Sequence, residues 1–90
     1  MARADAEALR KLLPVLRQLR EIKGVKETQP GTFYARRDAF VHFHEEDGAL
    51  FADLKKPGGS GFDRYLLATS DQQRKLVDDA KLRARRLDEE

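Results

Sequence analysis

Phe40-Val41-His42-Phe43-His44-Glu45-Glu46-Asp47-Gly48-Ala49-Leu50-Phe51-Ala52-Asp53-Leu54 alternates in character on both sides of an Asp-Gly pair. That pattern predicts a β-hairpin with two chemically different faces. Val41, Phe43, Leu50, Ala52 and Leu54 fall on one face and supply a core surface. Phe40, His42, His44, Phe51 and Asp53 fall on the other, which gathers both histidines of the chain beside a carboxylate. A two-residue Asp47-Gly48 loop, favoured as a type I′ turn, pairs His42 with Asp53 and His44 with Phe51. A four-residue loop from Glu45 to Gly48 pairs His42 with Phe51 and leaves the faces unchanged. Only an odd loop or a bulge mixes them, because a one-residue slip inverts every side chain.

Upstream of this hairpin, Gln29-Pro30-Gly31 breaks the chain, and Thr32 to Arg36 reads as a strand turning at Arg37-Asp38. With an even loop there, Phe33 joins Phe40 and the histidines, and Tyr34 joins Val41. A face with three phenylalanines is too apolar to stand in water, so a helix, a partner subunit or a ligand is expected to cover it. Downstream, Lys55 to Gly61 is a glycine-rich loop and Arg64 to Ala68 a fourth strand. Leu9, Leu12, Leu13, Leu16, Leu19 and Ile22 mark an amphipathic N-terminal helix that ends at Gly24-Val25. Pro14 either kinks this helix or starts a second one, and the unbroken apolar stripe favours a kink. Ser70 with Gln73 forms a capping-box pattern for a last helix, whose buried stripe is Leu76, Val77, Ala80, Ala84 and Leu87. The expected fold is α+β, one domain over 1–90. A small antiparallel sheet of about four strands is flanked by an N-terminal and a C-terminal helix, in the order α-β-β-β-β-α.

Charged residues make up 38% of the chain, well above the roughly 25% usual for globular domains. Basic and acidic groups nearly cancel, leaving +2, so net charge does not call for nucleic acid. The lack of cysteine excludes disulfides, thiolate catalysis and zinc-thiolate sites. The charged opening residues and the absence of a long apolar run point away from a signal peptide or membrane span, so the expected location is cytoplasmic.

Histidines at i and i+2 on a strand project to one side, and a carboxylate on the adjacent strand completes a metal-binding pattern of His42, His44 and Asp53. Asp53 is equally placed to orient His42 as a general base. No nucleophile stands nearby in sequence, and such groups on an aromatic face more often pack than chelate. Glu45 to Gly48 lacks the alternating ligands of a calcium loop, and Lys55 to Gly61 lacks the order of a phosphate-binding loop. Arg36 and Arg37, with Lys55, Lys56 and Arg64, would form basic wings for nucleic acid if they converged.

The run Gly24-Val25, Gly31 to Tyr34, Phe40 to His44, Asp47-Gly48 and Ala52-Asp53-Leu54 resembles small bacterial proteins of unknown function. Its His-x-His strand, Gly turn and Asp-Leu strand are similar to the "luciferase-family" domain, a name that does not imply light emission. The helix, Gly-Val, hairpin and closing helix are more loosely similar to MmcQ/YjbR-like proteins, a resemblance that implies a DNA-binding candidate fold. Neither resemblance supplies a catalytic residue.

The function expected from the sequence is a small interaction module, without catalysis, that binds through His42, His44, Phe51, Asp53, Phe33 and Phe40. Its partner would be a protein, a small ligand or a second copy of the chain. No cofactor is required, and a divalent metal at His42, His44 and Asp53, or a minor hydrolase-like activity there, is the first alternative. A nucleic-acid-binding wing protein is the second.

Overall fold

A computed structural model describes residues 2–58 and 60–89. The chain runs β1 (Ala2–Arg3), α1 (Ala6–Lys11), α2 (Leu13–Arg20), β2 (Val25–Gln29), β3 (Thr32–Ala35), β4 (Asp38–Glu46), β5 (Ala49–Lys55), β6 (Phe62–Leu66) and α3 (Ser70–Glu89). The strands form one antiparallel sheet in the order β2-β3-β4-β5-β6, and β1 pairs with β4 beyond the end of β3. The α+β class is as expected, with β1 and β2 added to the four anticipated strands.

Leu9, Leu12, Leu16 and Leu19 from α1 and α2, and Leu76, Val77, Ala80 and Ala84 from α3, share one core cluster with Val41, Phe43, Ala52 and Leu54. The helices therefore lie on a single face of the sheet. Leu50, at the turn end, is half-buried and packs on the rim of this cluster. No helix among the described residues is long and apolar enough to cross a membrane.

The N-terminal helix does not continue through Pro14. It breaks at Leu12 (φ −105°, ψ 15°), and Pro14 enters the first turn of α2, where its missing N–H removes no helical bond. Because the Leu12 N–H still bonds the Leu9 carbonyl and the Leu12 carbonyl accepts from Leu16, both short helices keep their apolar stripe inward. α1 starts at Asp5, whose carboxylate accepts from the Ala8 N–H at 2.9 Å. At α3 the capping box sits one residue earlier than expected. Thr69 Oγ1 accepts from the Gln72 N–H at 3.1 Å, and Gln72 Oε1 accepts from the Thr69 N–H at 3.0 Å.

The β4–β5 hairpin turns at Asp47 (φ 51°) and Gly48 (φ 81°), the φ signs of a type I′ turn. Its register pairs Val41 with Leu54, His42 with Asp53, Phe43 with Ala52 and His44 with Phe51. Two members of the expected outer face are not on it. Phe33 pairs with Val41 and Tyr34 with Ala39, which leaves Phe40 as an extra, unpaired residue on β4. This β-bulge turns Phe40 to the same side as Val41 and reverses the phase of β3. Phe33 (0% exposed) and Phe40 (1%) are therefore core residues, and Tyr34 (36%) faces outward.

Candidate functional site

The outer face of the sheet gathers around β4 and β5. β4 projects His42 and His44, β5 projects Phe51 and Asp53, and β6 projects Phe62, Arg64 and Leu66 through the pairs Asp53–Arg64 and Phe51–Leu66. β6 is held in this phase from behind. Tyr65 donates to Asp79 of α3 at 2.7 Å, and Asp63 pairs with Arg83 at 2.9 Å. Burial, with the Asp79 hydrogen bond second, pushes the Tyr65 hydroxyl up to about 12. On the other side of β4, Thr32 pairs with His42 and Arg3 with His44, and Arg3 donates to the Thr32 hydroxyl at 3.0 Å.

At the centre His42 Nδ1 lies 2.7 Å from His44 Nε2, and His44 Nε2 lies 3.1 Å from Asp53 Oδ2. His42 Nδ1 is 3.8 Å from the same oxygen. Arg64 grips the carboxylate with both prongs, Nε to Oδ1 at 2.9 Å and Nη2 to Oδ2 at 3.1 Å, which fixes its plane. The Arg64 guanidinium also lies over Phe51, 5.9 Å from the ring centroid, and the Phe62 ring meets His42 edge-on at 4.8 Å. The histidine side chains are 17–18% exposed and Asp53 10%. They form a shallow, largely dehydrated patch open to one side.

Burial first, and then His44, pull the His42 imidazole below its ordinary 6.5; Arg3 and Arg64 add to this, and Asp53 opposes it. His42 is therefore mostly neutral near pH 7, and in its contact with His44 one ring nitrogen donates and the other accepts. Burial works to raise the Asp53 carboxyl, but the Arg64 hydrogen bonds and charge, with the histidines, outweigh it and hold the group below its ordinary range. Among the described residues His44 Nδ1 is the one buried side-chain polar atom without a hydrogen-bond partner.

These shifts fix the acid response. The unfolded chain takes up a proton at histidine before folded His42 does, so stability declines as pH drops below about 6.5 and levels off past the folded value. Asp53 and Glu27 (which the Arg20 hydrogen bond lowers against its own burial) contribute stability that is whole above the unfolded carboxylate range, about 4. That second contribution is lost as pH falls through their folded values. Melting temperature against pH in chelator should show both stages, and His42→Gln should remove only the upper one. A wild-type Tm flat between about pH 7 and 5 would contradict the assignment.

Of the expected site residues, His42, His44, Phe51 and Asp53 come together, whereas Phe33 and Phe40 lie beneath the sheet. Arg64, expected on a basic wing, is the clamp on Asp53. Arg36, Lys55 and Lys56 meet at one end of the sheet, and Arg37 is an exposed turn residue outside that cleft. Sequence reasoning missed Arg3, Thr32 and Phe62. The period-2 alternation of Phe62, Arg64 and Leu66 carried the signal for β6, but the loop before it hid the register.

Comparison with protein-family models, with curated proteins and with solved structures returned no match.

Proposed function

We propose that the chain is a small metal-binding module in which His42 Nδ1, His44 Nε2 and Asp53 Oδ2 hold one divalent transition metal. One observation carries this reading: the three donors form the triangle that one face of a coordination shell requires. Metal–ligand bonds of about 2.0–2.2 Å put neighbouring ligand atoms about 2.8–3.6 Å apart, from octahedral to tetrahedral angles. The separations here are 2.7, 3.1 and 3.8 Å, so two edges must adjust by about 0.1–0.2 Å on ligation. Supporting it, His42 is mostly neutral at pH 7, and Arg64 orients the carboxylate through Oδ1, although its Nη2 also donates to the proposed ligand oxygen Oδ2. Two histidines and one carboxylate leave coordination positions open to the unhelixed side of the sheet.

Two features limit affinity. Arg64 places a positive charge on the ligand carboxylate. Ligation through His44 Nε2 puts the imidazole proton on the unpartnered Nδ1. A buried unsatisfied donor costs about 1–3 kcal/mol, or about five- to 150-fold in affinity. Micromolar binding is the expectation.

Calorimetric titration of metal-free protein with zinc tests the reading. Stoichiometric heat is expected, abolished by His42→Ala and by His44→Ala and weakened by Asp53→Asn, with a zinc-dependent rise in Tm. Affinity should fall as pH drops through the histidine range. No heat at about 100 μM zinc, well above the micromolar range, would leave the patch as a contact surface. The exposed Phe62 (39%) and Leu66 (40%) beside it favour that as the second reading.

A further inference from the structure

A second site lies at the opposite end of the β4–β5 hairpin from the Asp47-Gly48 turn. There the Arg36-Arg37 turn, the segment after β5 and the last turns of α3 border a cleft of about 660 Å3. Five cationic side chains line it: Arg36, Lys55, Lys56, Arg83 and Arg86. Among the described residues that line it the one carboxylate is Asp38, and Asp63 pairs with Arg83 from behind the wall. Such an imbalance in a chain of near-zero net charge concentrates positive potential in a concave surface.

The walls are built, not merely crowded. Arg83 is 17% exposed and fixed at both ends of its guanidinium, donating from Nη1 to the Lys55 carbonyl at 3.0 Å and pairing through Nη2 with Asp63 at 2.9 Å. Lys55 is held by Asp38 at 2.8 Å. Arg36 donates to the Leu87 carbonyl near the end of α3. It does so from a left-handed backbone position (φ 59°) that glycine would occupy more cheaply. Lys56, half-exposed and 4.0 Å from Asp63, retains most of its capacity to bind an anion. The floor is apolar, made by Ala35, Phe40 and Leu87.

We infer that this cleft binds a small phosphorylated molecule, with the phosphate on Lys56, Arg86 and Arg83 and a compact organic body against Leu87 and Pro57. Its volume lies within the roughly 300–1,000 Å3 of small-molecule pockets. Inorganic phosphate would leave the apolar floor unused. A DNA duplex needs its cations spread along an open surface, whereas Arg64 faces away on the outer side of the sheet, Arg37 stands outside the cleft, and Arg36, Lys55 and Lys56 converge in a hollow.

Calorimetric titration of the full chain at physiological salt with adenosine monophosphate, adenosine, inorganic phosphate and a short DNA duplex tests the inference. The monophosphate is expected to bind about tenfold or more tightly than adenosine or phosphate alone, since charge-assisted hydrogen bonds contribute about 1.5–3 kcal/mol. Lys56→Gln and Arg86→Gln should each weaken it about fivefold or more with Tm unchanged. Absence of heat at about millimolar monophosphate, equal binding of adenosine, or indifference to both substitutions would overturn it. Tighter binding of the duplex, lost in the same variants and steeply salt-dependent, would overturn it in favour of a nucleic-acid surface.

Discussion

Phe33→Ala is expected to destabilise the protein by about 3–5 kcal/mol, and Tyr34→Ala by less than about 1 kcal/mol. The two aromatic residues are chain neighbours of similar size, and only the strand's phase separates their fates. Phe33 is fully buried and meets Phe43 edge-on at 6.4 Å between centroids, whereas Tyr34 stands on the outer face. Removing the Phe33 ring leaves a cavity in the core shared by sheet and helices that rigid neighbours cannot fill. Denaturant unfolding of the two variants measures the difference directly. Equal costs, or the larger cost at Tyr34, would mean that β4 lacks its bulge and that β3 runs in the opposite phase.

Gly31→Ala should cost about 2–4 kcal/mol, from two separate sources. The backbone there is left-handed (φ +77°), which a side chain tolerates poorly. An added Cβ would also sit 2.7 Å from Cδ2 and 3.0 Å from Cδ1 of Leu9, a core residue of α1. Leu9 has to shift, because Gly31 is pinned by its N–H, which donates to the Glu27 carboxylate at 2.9 Å. The partner substitution separates the sources. In a Leu9→Ala background the clash disappears, so Gly31→Ala should then cost only the backbone contribution, about 1 kcal/mol. Additive costs in the double variant would show that Leu9 yields freely.

The legible part of the fold was the part governed by local chemistry. Asp47-Gly48 allows a two-residue or a four-residue loop, both of which put His42, His44 and Asp53 on one face; the structure takes the two-residue turn, which sets His42 opposite Asp53. Long apolar stripes located the helices, but the N-terminal stripe favoured one helix kinked at Pro14 where the chain forms two. Phe40 was misplaced because a bulge is a property of two strands together. Nothing in Asp38-Ala39-Phe40-Val41 marks an extra residue, and the benefit of turning both Phe33 and Phe40 inward appears only once the helices supply a core. β2 was missed for a related reason. Val-Lys-Glu-Thr-Gln is mostly polar, and it is a strand because β3 offers it a free edge and Glu27 finds Arg20 on α2 at 2.5 Å. At the site, the donor set was legible and its surroundings were not. Arg3 and Arg64 reach Asp53 and its neighbours from strands whose register depends on irregular connections.

From β2 to β6 each strand pairs with the next one in the chain, and this meander bears on how quickly the native state is reached. No pairing along that path has to wait for a long loop to close, so little entropy is spent before contacts begin to reward it. Mixed domains with such local topology fold faster than sandwiches or parallel sheets of equal size. The helices return to the sheet from both ends of the sequence, and the contact of α2 with α3 spans most of the chain. His42, His44 and Asp53 belong to a single hairpin, so the proposed ligand set is brought together by the closing of one two-residue turn.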